Sequence, residues 1–161
     1  MATNIKTYGV QTARMLSGNM YFYRYSAEDG NEFYDAFPLI FMLRKRGNIF
    51  EGINFHYLNL TRRRELFDQV IKFMDTPSIE ENSRILVKSY RKIIMMSRSY
   101  ILGKITLHKY KRSNITSRIT RISPENWSDA ISSPSERFLI PNGGILSSSR
   151  IWRKTFQRIR D

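Results

Sequence analysis

The residues with the most evident chemistry in this chain are cations. Between residues 82 and 124 the chain has no Asp or Glu, whereas Lys and Arg recur throughout. A solvated surface normally mixes both signs, because like charges repel one another and destabilise the folded state. The stretch therefore predicts an acidic partner, which is either nucleic acid or the acidic surface of another protein. The alternative is that carboxylates outside the stretch fold back onto it, such as Glu28, Asp29, Glu80 and Glu81.

The whole chain is basic as well. Its 161 residues include 27 Lys and Arg against 14 Asp and Glu, which gives a formal net charge of +13. Such an excess is typical of proteins that bind nucleic acid or pack against acidic neighbours. A hydrophobic content of 41% is enough for a folded core. Cysteine is absent, which excludes disulfides and thiolate metal sites and suits assembly in a reducing cytoplasm.

Two further Arg-rich groups lie at 44–46 and 62–64. The second group falls where a helix is predicted to begin, and cations there oppose the helix dipole. That arrangement favours an anion or an acidic partner at the helix start. The predicted basic surface, which meets a protein partner or nucleic acid, comprises Arg44, Lys45, Arg46, Arg62, Arg63, Arg64, Arg91, Lys92, Lys109, Lys111, Arg112 and Arg118.

Aromatic residues offer a second kind of chemistry. Tyr21, Tyr23, Tyr25, Phe33 and Phe37 could form a platform on which single-stranded bases stack. We favour the ordinary interpretation, in which these side chains belong to the core and sheet surface, because aromatic residues are common in strands.

The last eleven residues combine apolar and basic side chains. Trp152 and Phe156 are four residues apart, which is helical spacing, and Arg and Lys surround them. We interpret these two residues as partner anchors that insert into a neighbouring subunit. Docking of the tail on its own core is the alternative, because the same spacing serves either surface.

Signals for catalysis are weak. The two histidines, His56 and His108, show no metal-ligand spacing, and the sequence has no phosphate-binding loop followed by Lys. Asp35 and Glu51 could face each other across a hairpin, which leaves a metal-dependent nuclease as a third alternative. We therefore predict that the protein is not an enzyme and has no catalytic residue, metal site or cofactor.

These residues must be positioned by a sheet in the first half of the chain. Strands are predicted over 20–25, 34–43 and 49–58, with turn residues between them. Pro38 marks an edge or a bulge, because it cannot donate to the ladder. Gly52 marks a bulge or a close approach of another backbone.

Helical periodicity begins after Asn59, where Asn59 or Thr61 can cap a helix that Pro77 ends, and a second helix starts at Ser78. Strands are again predicted over 105–110 and 114–122. The predicted class is α+β: a small antiparallel sheet, barrel-like in one alternative, with two short helices and extended termini. The predicted organisation is an N-terminal arm (1–18), an α+β core domain (19–131) and a Ser/Pro/Gly-rich strap with a basic C-terminal tail (132–161).

No segment indicates a membrane. The longest apolar run, residues 36–43, is far too short to cross a bilayer, and the first twenty residues lack the apolar core of a signal peptide.

Several motifs together are similar to a family of small virion-associated proteins of large contractile-tailed bacteriophages, the myoviruses. The similarity extends over about residues 20–155. It is strongest in the strand pair Tyr34–Leu39 and Phe50–Leu58, which a short helix follows. Looser matches are Lys109-Tyr110, Ser117-Arg118, Glu125-Asn126-Trp127, Ser135-Glu136-Arg137-Phe138 and Ile151-Trp152.

The resemblance implies a component of a phage particle, made in the host cytoplasm, and no catalytic residues. We expect a structural subunit of the tail, baseplate or neck, present in several copies, whose partners are other virion proteins with acidic surfaces. The alternative is a DNA-binding protein that protects or positions the ends of packaged DNA.

Overall fold

The computed structural model describes residues 8–27, 32–74, 104–140 and 144–160. The strands are β1 (Gly9–Thr12), β2 (Met20–Phe22), β3 (Tyr34–Asp35), β4 (Leu39–Arg46), β5 (Ile49–Asn54), β6 (Leu107–Lys111), β7 (Ile119–Ile122), β8 (Phe138–Leu139) and β9 (Ile145–Leu146). The α-helices are α1 (Leu60–Met74), α2 (Trp127–Ser132) and α3 (Ser148–Arg160). Short 3-10 turns lie at Phe55–Tyr57, Arg112–Asn114 and Pro124–Asn126.

Six strands form the main sheet in the order β1-β7-β2-β4-β5-β6, and every neighbouring pair is antiparallel. In the described part of the chain, β1 and β6 each have one strand neighbour, so the sheet has two edges and is open. The predicted α+β class is confirmed, whereas the barrel-like alternative is not realised.

The hairpin of β4 and β5 supplies the best-defined local structure. Gly47 lies at its turn with a φ of 60°, a conformation that favours glycine. The register shifts between Met42 and Arg44, so that one extra residue lies in β4 opposite Gly52. A Cβ atom on Gly52 would lie 2.9 Å from the carbonyl oxygen of Phe41. The bulge and the close backbone approach inferred from the sequence are therefore both present at this glycine.

The strand predicted over 34–43 is divided in two at Pro38. β3 precedes the proline and pairs with β8 in a second sheet of order β3-β8-β9, whereas β4 follows it in the main sheet. The division has a physical cause, since Pro38 has no N–H to donate to a ladder. The N–H of Phe37 is instead satisfied by Oδ1 of Asp35, at 3.0 Å.

The main sheet has a buried cluster on each face. One face packs against the helices, and its cluster includes Phe41, Ile53, Leu66 and Trp127. The other face carries a smaller cluster rich in tyrosine, which comprises Met15, Tyr21, Tyr23, Ile40, Met42, Phe50, Tyr110 and Ile119.

Helix α1 follows the prediction closely. The Asn59 side chain accepts a hydrogen bond from the N–H of Arg62 at 2.9 Å, so Asn59 rather than Thr61 caps the helix. Leu66 and Val70 recur on the buried side of the helix, as the periodicity indicated. The helix predicted from Ser78 lies outside the described residues. None of the described helices is both long enough and apolar enough to cross a membrane.

Both chain ends take part in the fold more than their composition indicated. β1, inside the predicted arm, pairs with β7 from Gly9 to Thr12. Phe138 and Ile151, inside the predicted strap and tail, are fully buried in the main cluster. A Ser-, Pro- and Gly-rich composition indicated few buried contacts, yet isolated apolar residues at these positions are enough to anchor the segments.

Candidate nucleic-acid interface

The ends of β4, β5 and β6 bring cations from distant parts of the chain onto one surface. Arg44 lies opposite Glu51, which lies opposite Lys109 on the next strand. The next row, two residues on, consists of Arg46, Ile49 and Lys111. Directly paired residues and alternate residues share a face of an antiparallel sheet. The resulting surface, formed by Arg44, Arg46, Lys109 and Lys111 around Glu51 and Ile49, is called the basic hairpin face below.

The face contains more cations than carboxylates. Glu51 forms an ion pair with Arg44, with 2.6 Å between Oε2 and Nε. Four cations and one carboxylate therefore belong to this face. A shallow groove of about 180 Å³ runs between Arg44, Arg46, Glu51 and Lys109. Such a groove is suited to following a phosphate backbone.

A cavity of about 240 Å³ adjoins the basic hairpin face along β6, the edge strand. Ile49 and Lys109 line both the cavity and the groove, so the two features are contiguous. The cavity, called the aromatic cavity below, is lined by Tyr25, Ala27, Phe33, Tyr34, Asp35, Ile49, Tyr57, His108, Lys109, Tyr110, Lys111 and Asn114.

Contacts among the rings hold this lining in place. Tyr57 and His108 stack with 4.0 Å between ring centroids, and Tyr25 meets Tyr110 edge to face at 5.1 Å. The hydroxyl of Tyr25 accepts a hydrogen bond from the backbone N–H of Lys111 at 3.0 Å. Burial lowers the pKa of His108, although a hydrogen bond from Nε2 to the Ile105 carbonyl, at 2.8 Å, acts in the opposite direction. His108 is therefore neutral at neutral pH.

Asp35 lies at the buried end of the cavity within a polar network. Its Oδ2 accepts hydrogen bonds from Nδ2 of Asn54 at 3.0 Å and from Nδ1 of His56 at 2.7 Å. Burial alone would raise the pKa of Asp35, but the charge and hydrogen bond of His56 and the other donors outweigh it and lower the pKa. Asp35 is therefore a carboxylate at neutral pH. Asn54 also donates to the hydroxyl of Tyr110 at 3.0 Å, which connects the network to the cavity wall.

The same network contains the connectivity of a Ser-His-Asp triad. Nε2 of His56 lies 2.8 Å from Oγ of Ser135, while Nδ1 contacts Asp35. A nucleophilic serine needs access to its substrate, and Ser135 is only 2% exposed. The arrangement thus joins three segments of the fold rather than presenting a reactive hydroxyl. Among the described residues, no group of three or more His, Asp or Glu side chains could hold a metal ion.

Arg63 is the clearest difference from the expected surface, because its side chain is only 1% exposed. Its Nη2 lies 3.2 Å from Oε2 of Glu136, and its Nε donates to the Leu58 carbonyl at 2.9 Å. Burial lowers the pKa of Arg63 and Glu136 acts against that shift. Arg63 therefore stabilises the contact between α1 and the 131–136 segment and is not a phosphate ligand. The periodicity of α1 places Arg63 on the buried side of the helix, whereas its neighbours Arg62 and Arg64 are exposed.

The other predicted basic residues divide into separate groups. Lys45 is exposed on β4, on the opposite side from Arg44 and Arg46. Arg62 pairs with Glu65 at 2.7 Å, and Arg64 donates to the hydroxyl of Ser132 at 2.9 Å. Half-buried Arg112 and exposed Arg118 belong to the segment between β6 and β7. The structure does not describe Arg91 and Lys92.

The two predicted anchors lie on α3. Trp152 is half-buried and packs against the chain's own core, beside buried Ile151. Phe156 belongs to the same helix. This position corresponds to the alternative in which the tail docks on its own core.

Sequence reasoning missed the aromatic cavity as a unit. Of the five residues considered as a stacking platform, Tyr25 and Phe33 line the cavity. Tyr21 and Tyr23 are buried in the tyrosine-rich cluster and Phe37 packs against the main core, as the favoured interpretation of these residues indicated. Tyr57, His108 and Tyr110 come from separate elements, so no local pattern could connect them. The two carboxylates considered for a nuclease have separate partners: Asp35 binds Asn54 and His56, and Glu51 binds Arg44.

Comparison with known proteins gives one family match. The model of the family described as phage T4 terminal DNA protecting protein matches residues 1–155. The chain therefore belongs to this family, and the predicted phage origin is confirmed. Searches of curated proteins and of solved structures each returned no match.

Proposed function

We propose that this member of the terminal DNA protecting family binds the ends of phage DNA through the basic hairpin face and shields them by occupancy, without catalysing a reaction. The observation that carries the proposal is the family match over residues 1–155, since the family description names protection of terminal DNA. This function was the alternative in the sequence analysis. Nothing in the match supports a tail, baseplate or neck position.

The basic hairpin face offers a physical means of binding. Its four cations and one carboxylate lie on a three-stranded part of the sheet. Cations that contact phosphates release condensed counterions, which supplies much of the affinity of proteins for DNA.

Protection by binding fits the described chemistry better than protection by reaction. Ser135 and His56, the pair with catalytic connectivity, are both buried. A bound protein excludes an exonuclease from a DNA end by steric occupancy alone, which needs no reactive group. We also propose that the protein is located in the virion, where several copies of it contact other virion proteins.

An exonuclease assay tests the proposal. A linear duplex is incubated with the protein and then with an exonuclease that needs a free end, and the surviving full-length DNA is measured. We expect the wild-type protein to preserve the duplex. The double variant Arg46→Glu/Lys109→Glu should lose this protection, because it reverses two charges of the basic hairpin face.

A matched control reverses the same number of charges elsewhere. Arg150 and Arg153 are exposed on α3, so Arg150→Glu/Arg153→Glu changes the net charge equally and should protect as well as the wild type. Equal loss of protection in both variants would mean that net charge alone matters. A wild-type protein that leaves the duplex unprotected would contradict the proposed function.

A further inference from the structure

We propose, resting on the proposed function, that the aromatic cavity binds one unpaired terminal nucleotide of a DNA strand. The base enters between the rings and the phosphate stays outside, near Lys109 and Lys111. The site thereby distinguishes a DNA end from the interior of a duplex.

The residues that line the cavity include several aromatic side chains on which a base could stack. Tyr25, Phe33, Tyr34 and His108 are half-buried aromatic residues of the lining. Aromatic rings of this kind bind bases of any sequence, because every base has a π face. Tyr57, only 7% exposed, supports the stack from behind through its 4.0 Å contact with His108.

Charge sets the orientation of the nucleotide. Asp35, a carboxylate that is 2% exposed, lies at the buried end of the cavity, and exposed Lys109 lies at its rim. A phosphate is repelled from the buried end and attracted to the rim. An uncharged base carries no such penalty at the buried end, so it is the part that enters.

The size of the cavity suits a small occupant such as a single base. The cavity holds about 240 Å³, less than the roughly 300–1,000 Å³ of pockets that enclose drug-sized ligands.

Selectivity for ends follows from the cost of reaching the cavity. A base inside a duplex must be unpaired and unstacked before it can enter, whereas an overhanging terminal nucleotide is already free. Because the cavity shares Ile49 and Lys109 with the groove of the basic hairpin face, a duplex can lie on that face while its last nucleotide enters the cavity.

The test compares two DNA probes that share the same duplex stem. One is a hairpin with a single-nucleotide overhang, and the other is a closed dumbbell with no end. Tyr34→Ala truncates an aromatic residue of the lining, and Ala27→Trp adds a large side chain at another lining position. Each variant should weaken binding of the overhang probe about 5- to 100-fold, which is the loss expected for one stacked base, and leave dumbbell binding unchanged.

Matched controls separate the cavity from general effects. Tyr8→Ala truncates a half-buried tyrosine that does not line the cavity, and Ile145→Trp adds a tryptophan at an exposed position. Both should bind the overhang probe as the wild type does. Thermal unfolding of each variant shows whether it is folded. If Tyr34→Ala does not fold, Ala27→Trp alone tests the cavity.

The outcomes distinguish this inference from the proposed function. If the wild type prefers the overhang probe but both cavity variants bind it equally well, the cavity is not the site, and end binding itself stands. If the cavity variants bind the overhang probe and the dumbbell more weakly by the same factor, the inference is also wrong. If the wild type binds neither probe, the proposed function fails, and the inference fails with it.

Discussion

Nδ1 of His56 lies 2.7 Å from Oδ2 of Asp35 at the junction of the two sheets. Asp35 belongs to β3 in the small sheet, whereas His56 follows β5 of the main sheet, and Ser135 contacts the same imidazole from the segment before β8. One buried imidazole therefore links three parts of the chain. The same link holds Asp35 at the buried end of the aromatic cavity, so stability and the candidate site depend on common residues.

Asp35→Asn should destabilise the protein by about 1–3 kcal/mol, the cost of leaving a buried donor without an acceptor. Both carboxylate oxygens accept hydrogen bonds, from Phe37 and Arg137 on one side and Asn54 and His56 on the other. An amide in either orientation places its NH₂ group against another donor. Urea denaturation measures the loss, and Asp129→Asn, at an exposed carboxylate, is the control.

The same carboxylate gives the stability a pH dependence. Because the folded-state pKa of Asp35 is lowered, its contribution is fully present above the unfolded-state pKa of about 3.9 and is lost as the pH falls through the folded-state pKa. The free energy of unfolding of the wild type should therefore fall below about pH 4. Asp35→Asn should lack this part of the acid slope, and an identical slope in both proteins would contradict the assignment.

Gly52→Val should cost about 1–3 kcal/mol through overpacking. The Cβ atom of the new side chain would already lie 2.9 Å from the Phe41 carbonyl oxygen and 3.2 Å from Cδ1 of Ile40. Gly47→Asn is the control, since nothing lies within 4 Å of a Cβ atom there and Asn accepts positive φ. Thermal unfolding compares the two, and a Gly52→Val protein as stable as the wild type would show that the sheet relaxes around the bulge.

Arg63→Met should destabilise the protein by about 3–5 kcal/mol, because it leaves Glu136 as a largely buried carboxylate without its cation. The double variant Arg63→Met/Glu136→Leu removes both charges and should recover part of that loss. Arg62→Ala, at the exposed neighbour, should cost less than about 1 kcal/mol. Chemical denaturation of the three variants measures the differences. A double variant less stable than the single one would show that other contacts of Glu136 dominate.

Ile151→Ala should cost about 2–5 kcal/mol, as truncation of a core residue does, because Ile151 is fully buried. Deletion of residues 150–161 should lower the stability of the isolated protein for the same reason, whereas Arg153→Ala, at an exposed position, should not. If the truncated protein is as stable as the wild type and only fails to enter particles, the tail is a partner-binding element instead.

Local patterns predicted much of the fold, because they depend on neighbouring residues. The bulge opposite Gly52 and the cap at Asn59 follow from single side chains whose chemistry is the same in any context. Arg63 could not be assigned in this way. Its burial depends on Glu136, more than seventy positions along the chain, and on the Ile131 carbonyl.

The candidate site shows the same limit. The charge excess indicated an acidic partner, and the hairpin placed Arg44 and Arg46 together. The positions of Lys109 and Lys111 beside them, and the rings of the aromatic cavity, result from the pairing of β5 with β6, which no sequence pattern specifies. Long-range register, rather than composition, converts scattered cations and aromatic residues into a surface.

A competition experiment tests the central claim, binding to DNA ends, most directly. A labelled short duplex bound to the wild-type protein is challenged with equal masses of one plasmid in three forms: cut at many sites, cut once, or covalently closed and relaxed. We predict that the plasmid cut at many sites competes best, the plasmid cut once competes less, and the closed circle competes least. Competition that depends only on total mass of DNA, and not on the number of ends, would contradict the account.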